Sequence, residues 1–329
     1  MRKLVSPIVA VLFCAAATST VTVYACAVMP RPDRVVRVDG EEVLIVWDAD
    51  ARREHLIRHI GFRGDTDDFG FLVPTPSTPE VAEVQGLPFD PLYRLYHRSA
   101  PVRHARGRRS ARSSSAMSSG AAPSVRVVAQ HELAGQTATV LAANDASALN
   151  GWLASHGYPH GPALQAYVTP YVQRGWMITA FRYVARGAHV RSPVIRLSFD
   201  TEQPFFPYAE PASTEARPAR HFRVSVLAHH PMQGQLSANG EGGRRWGAQV
   251  GFRRRLTPAE TERVQSASQL TTAPALRYLT VFDEPRSVRG DLDLWFRPQG
   301  GAPDVQPRLR TAVAPVQQGG PNPLDEIDF

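Results

Sequence analysis

Apolar and polar residues alternate in short runs over most of this chain, and only a few stretches carry the longer helical period. Val35-Val36-Arg37-Val38 and Val43 to Trp47 flank Asp39-Gly40, a dipeptide that favours a tight turn, so the two runs predict a β-hairpin. His55 to Phe62 predicts another strand. Phe69 to Pro74 predicts one more, closed by Pro74-Thr75-Pro76, which cannot be helix. Leu92 to His97 fits a short helical turn. Val125 to Val128 and Ala138 to Leu141 again alternate, and Asn144 or Asp145 can then cap a helix running to Ser155.

In that helix Leu149, Trp152 and Leu153 recur at helical spacing, which predicts that Trp152 and Leu153 face the core, and His156-Gly157-Tyr158-Pro159 stops it. A second helix covers Ala163 to Arg174, shortened or kinked by Pro170. Strands follow at Trp176 to Val184, Val194 to Phe199 and Phe222 to Leu227. Thr257-Pro258-Ala259-Glu260 opens a capped helix, and strands return near Tyr278 to Phe282 and Asp291 to Phe296.

The first residues follow a different pattern. Arg2 and Lys3 lead into an apolar segment from Leu4 to Ala17, and Val23-Tyr24-Ala25 precedes Cys26. A basic start, a short apolar stretch and small residues at a cleavage point make a secretory signal peptide over residues 1–25, too short to span a bilayer stably. Export to the periplasm or beyond is the expectation, with no transmembrane span after cleavage. A Cys after Ala also resembles the lipidation site of bacterial lipoproteins, so a lipid anchor on Cys26 is the alternative, although Tyr24 fits that motif poorly.

Cleavage leaves 304 of the 329 residues and one cysteine, Cys26, because Cys14 leaves with the signal. One thiol makes no internal disulfide, so the fold must rest on its own core. Arg2 and Lys3 also leave, which lowers the net charge from +7 to +5 and removes the only lysine. That excludes Schiff-base chemistry, a Walker lysine and kinase-like use of ATP. The all-arginine positive charge reads as coding bias.

Residues 98–124 break the pattern: Arg98, Arg103, Arg106, Arg108, Arg109 and Arg112 stand among serines and alanines with no acid. Such a stretch is expected to be a solvated loop, since it offers little to bury. Arg103, Arg106, Arg108, Arg109 and Arg112 are its candidate binding residues, for an anionic envelope polymer or another envelope protein. Nucleic acid is disfavoured because no aromatics interleave with the arginines.

Several motifs in order carry a resemblance. Glu54-His55, Phe69-Gly70-Phe71-Leu72-Val73-Pro74-Thr75-Pro76, Ala148 to Leu153 with Gly157-Tyr158, Tyr171-Val172 and Ser192 to Phe199 follow an exported start. The chain resembles the bacterial exported family known as domain of unknown function 2330, over Cys26 to Leu227. The resemblance implies an address and an architecture, but no catalytic residues. Members often carry Cys-Gly-Gly with a second nearby Cys at the mature start, whereas this chain reads Cys26-Ala27-Val28-Met29-Pro30.

Among candidates for chemistry, His55 and His59 are four apart in a strand, where residues so spaced share a face but lie about 13 Å apart. His156 and His160 bracket a glycine and a proline, so they cannot share a helical turn. His131-Glu132 lacks a second histidine, His229-His230 is a lone adjacent pair, and Asp65-Thr66-Asp67-Asp68-Phe69-Gly70 lacks the closing acid of a calcium loop. No metal and no cofactor is therefore expected, and no nucleophile motif occurs.

The expected fold is α+β, mainly antiparallel and β-rich, with a few packed helices and room for two β-rich halves. The expected organisation is a signal over 1–25, a β-rich half over 26–97, the loop over 98–124, an α+β half over 125–299 and a disordered tail over 300–329. The preferred function is a non-catalytic binding or structural module of the envelope. An exported hydrolase, its site assembled only in the fold, is the alternative.

Overall fold

The computed structural model describes residues 29–30, 36–64, 68–96, 124–133, 136–158, 160–184, 189–212, 219–271, 273 and 275–305. In chain order they form β1 (Met29–Pro30), β2 (Val36–Asp48), β3 (Arg53–Gly64), β4 (Asp68–Thr75), β5 (Glu80–Glu83), α1 (Asp90–Tyr96), β6 (Val125–Leu133) and β7 (Gln136–Ala143). Then come α2 (Ala146–Ser155), α3 (Pro162–Gln173), β8 (Met177–Val184), β9 (His189–Arg191), β10 (Ile195–Asp200), β11 (Phe205–Phe206) and β12 (Arg220–Ala228). The described chain closes with β13 (Met232–Ser237), β14 (Arg244–Arg245), β15 (Gln249–Arg255), α4 (Pro258–Ala267), β16 (Tyr278–Ser287) and β17 (Asp293–Pro298).

The strands make three sheets. The central one runs β15-β16-β12-β2-β3-β10-β5, with β9 added to β3; a second runs β1-β4-β8-β7-β6, and a third β11-β17-β13-β14. Pairing is antiparallel except between β2 and β12. The fold is α+β with β dominant, and strands from both sides of residues 98–124 share the first two sheets.

Burial follows from period two. On β2 and β3, Val43, Ile45, Leu56 and Ile60 face a core that also takes Phe71 and Phe181 from the second sheet and Phe296 from the third. The other face, with Leu44, Val46 and Ile57, packs on Leu92 and Tyr96 of α1 and Val264 of α4. Helices α2 and α3 cover the outer face of the second sheet through Leu149, Leu153, Leu164 and Val168. No helix among the described residues is long and apolar enough to cross a membrane.

Two expectations need correction. Asp39-Gly40 is not a hairpin turn: β2 runs through it, and the pairing with β3 shifts register between Val38 and Gly40. A bulge absorbs the extra residue and lets a long strand twist without reversing. The tail from Gly300 starts with a fixed segment, since Val305 and Arg253 exchange backbone hydrogen bonds of 2.7 and 2.9 Å.

Asp145 caps α2, accepting from the Ala148 amide at 2.6 Å, and Gly157, with φ of 74°, ends it as Tyr158 N–H donates to the Leu153 carbonyl at 2.8 Å. Leu153 is buried, and Trp152 packs against the same core as expected but stays half-buried, stacked on His156 with ring centroids 3.8 Å apart. Leu153→Ala is therefore expected to cost about 2–5 kcal/mol and Trp152→Ala distinctly less. Urea unfolding of the two variants checks the order.

Candidate functional site

The parallel pairing of β2 with β12 brings together residues that are far apart in sequence. Val46 lies opposite Leu227, so both strands leave the sheet at the same end, β2 at Asp48 and β12 just before His229. The turn from Asp48 to Arg53 closes with Arg52 at φ of 49°, a left-handed residue that swings the chain back into β3. Asp48 Oδ1 accepts the amides of Asp50 at 3.0 Å and Ala51 at 3.1 Å, which fixes its carboxylate. His229 Nε2 lies 3.8 Å from Asp48 Oδ1 and 3.9 Å from Asp50 Oδ2. Donor atoms of all three groups lie within 4.8 Å of one another.

The arginines of the same turn are engaged elsewhere. Arg52 pairs with Glu202 at 2.9 Å, and Arg53 with Glu80 at 2.6 Å and Asp200 at 2.7 Å. One strand over, His55 Nδ1 meets Ser198 Oγ at 2.8 Å. Burial, helped by the charges of Arg196 and Arg53, pushes His55 down to about 4, so its imidazole is neutral at physiological pH. A serine touching a neutral histidine invites a hydrolase reading. Yet Ser198 is 2% exposed and directly opposite His55 across the ladder, so the contact ties β3 to β10 and offers no nucleophile to a substrate.

The opposite end of that sheet face carries a polar row in register: His59 opposite Glu42, Glu42 opposite Arg223, Arg223 opposite Asp283 and Asp283 opposite Gln249. Asp283 Oδ1 receives His221 Nε2 at 2.8 Å and Arg223 Nε at 3.2 Å. Burial works to raise Asp283, but those two partners outweigh it and hold the carboxyl below its ordinary value. Tyr93 of α1 donates to Glu42 Oε2, and burial raises Glu42 above the ordinary range. This row docks α1 on the sheet.

Deeper charges are structural. Glu41 is bonded by Arg58 and by Arg289, the latter at 2.7 Å; Arg220 is bonded to Glu210, and all five residues are at most 5% exposed. Burial alone would raise Glu41; Arg58 and Arg289 overcome it and hold Glu41 at about 2. Arg289 stacks over Phe222, Tyr208 and Phe206 at 4.4, 4.6 and 5.3 Å. Glu54 is also buried, accepting only the Phe205 amide at 2.8 Å, and burial raises it well above the usual carboxylate range.

Of the residues singled out from sequence, His229 alone joins a convergent donor set. The carboxylates that meet it, Asp48 and Asp50, gave no signal, since neither lies at ligand spacing from a histidine. His156 Nδ1 turns to the Trp152 carbonyl at 2.8 Å and His160 Nδ1 to the Tyr158 carbonyl at 3.3 Å, so that pair does not converge. Cys26, the acidic run at Asp65 to Asp67, and Arg103, Arg106, Arg108, Arg109 and Arg112 lie outside the described residues.

Residues 20–294 match the family described as "Uncharacterized protein conserved in bacteria (DUF2330)". The chain belongs to that family. No curated protein matches it. Among solved structures, baculovirus P35 is 8% identical over 80% of this chain and 97% of its own, with a TM-score of 0.36. A mutated baculovirus P35 after caspase cleavage is 10% identical over 78% and 95%, with a TM-score of 0.32. Likeness at that level carries no argument about this DUF2330 protein.

Proposed function

We propose that this DUF2330 protein is an exported envelope protein that works by binding rather than by catalysis. The observation that carries the reading is the Asp48–Asp50–His229 convergence, a set of ligand donors that reaches solvent through Asp50, while the Ser198–His55 contact is sealed in the ladder. Asp50 is 85% exposed at its side chain, so the set can meet a partner without any opening of the fold. The signal-like start supports export, and the arginines at 103, 106, 108, 109 and 112 supply positive charge toward an anionic envelope polymer.

The test has two arms. Intact mass of protein from its native host is expected to show loss of residues 1–25; an extra lipid mass on Cys26 would place it on a membrane, and an uncleaved chain in the membrane would refute soluble export. The mature protein is then incubated with ester, peptide and glycoside substrates and with anionic polysaccharide. Binding that falls steeply with salt, and falls further when the five arginines become serine, is the expected result. Turnover that disappears in His221→Ala would replace the binding reading by a hydrolase built on the His221–Asp283 pair.

A further inference from the structure

We propose that Asp48, Asp50 and His229 form a site for a first-row divalent cation such as zinc. The inference rests on the binding reading and names the ligand of the same surface. Carboxylates near a histidine are common on protein surfaces, so the case depends on what surrounds these three. The chain is rich in arginine, and the turn itself supplies Arg52 and Arg53, yet both reach away to Glu202, Glu80 and Asp200. Among the described residues no arginine bridges Asp48 or Asp50; the basic group beside them is the His229 imidazole, which carries charge only when protonated. Two carboxylates and an imidazole thus share a place where a counter-charge is missing.

The spacing fits. A four-coordinate zinc with bonds of about 2.0–2.2 Å separates its ligands by about 3.4 Å. The 3.8 and 3.9 Å between His229 Nε2 and the two carboxylates close to that value by small side-chain rotations. Asp50, exposed and tied by its side chain to His229 alone, is free to make them. Asp48 is oriented by two backbone amides that both bond Oδ1, which leaves Oδ2 to meet a metal. The donor set also chooses the metal. An imidazole with two carboxylates suits zinc or manganese, whereas calcium and magnesium prefer oxygen alone. Three protein ligands leave at least one position for water or for an anionic group of a partner.

The test is isothermal calorimetry on the full mature chain, stripped with EDTA and titrated with zinc chloride, with manganese, calcium and magnesium chlorides as comparisons. One zinc per chain is expected, with calcium and magnesium much weaker. Asp50→Asn should weaken zinc by at least about tenfold, the loss usual even for outer-shell partners, and His229→Gln by more. Asp50 is exposed, so its variant should melt like the metal-free wild type, which separates lost ligation from lost folding. No zinc binding, or binding unchanged in both variants, overturns the site. Because the probe is the bare cation, that failure stands apart from failure to bind an envelope polymer.

Discussion

Glu41→Gln should destabilise the protein by about 3–5 kcal/mol, the cost of leaving buried charges without their counter-ion. Both side chains of the Glu41–Arg289 pair are 0% exposed, and Arg58 is 1% exposed. Removing the carboxylate charge strips Arg58 of the carboxylate it is bonded to and leaves Arg289 with the more distant Glu210, 4.0 Å from its Nε, among buried aromatic rings. The complementary experiment replaces Glu41 together with both arginines bonded to it. Glu41→Leu with Arg58→Met and Arg289→Leu should recover most of the loss, since apolar side chains of similar volume often substitute for buried ion triads without penalty. Urea unfolding of the single and triple variants checks both statements. A Glu41→Gln protein as stable as wild type would mean that water reaches the guanidinium groups.

Asp293 should make stability fall as pH rises from the ordinary carboxylate value toward about 7. Its carboxylate accepts from Tyr171 Oη at 2.9 Å and from the amides of Tyr208 and Ala209, each at 3.1 Å. Burial nevertheless outweighs these bonds and raises Asp293 to about 7. The folded state therefore holds a proton that the unfolded chain has already released above its ordinary carboxylate value. Stability is full below that value and is lost as pH climbs toward the folded value, by about 3 kcal/mol between pH 5 and pH 8. Glu54 acts in the same direction. Subtracting the pH profile of Asp293→Asn isolates the first group: the variant should gain on wild type by about that amount over the interval. Parallel profiles would show that Asp293 is ionised throughout.

Where the sequence was informative, the signal was local. The cap at Asn144 or Asp145, the Gly157 stop and the Thr257–Glu260 capping box are decided within one helical turn, and all three form, with Asp145 the capping residue. The bulge at Asp39-Gly40 looks like a turn in sequence, because a strand interrupted by an Asp-Gly pair has the same pattern until its partner is known. Short strands such as β11 and β14 exist only through neighbours and have no pattern of their own. The charged interior could be sensed at Arg58, which interrupts the buried face between Leu56 and Ile60, but its partner Glu41, and Arg289 that shares Glu41, lie on another strand and a loop. Asp48, Asp50 and His229 were illegible for the same reason. Only the parallel alignment of β2 and β12 makes them neighbours.

The most direct measurement of the account is an anomalous difference map, collected at the zinc edge, from crystals of the mature chain grown with zinc. The expected result is one strong peak between Asp48, Asp50 and His229, within about 2.0–2.2 Å of a donor atom of each. A map with no peak there, or with zinc on His131, His156 or His160 instead, would contradict the claim that this end of the central sheet is where the protein binds.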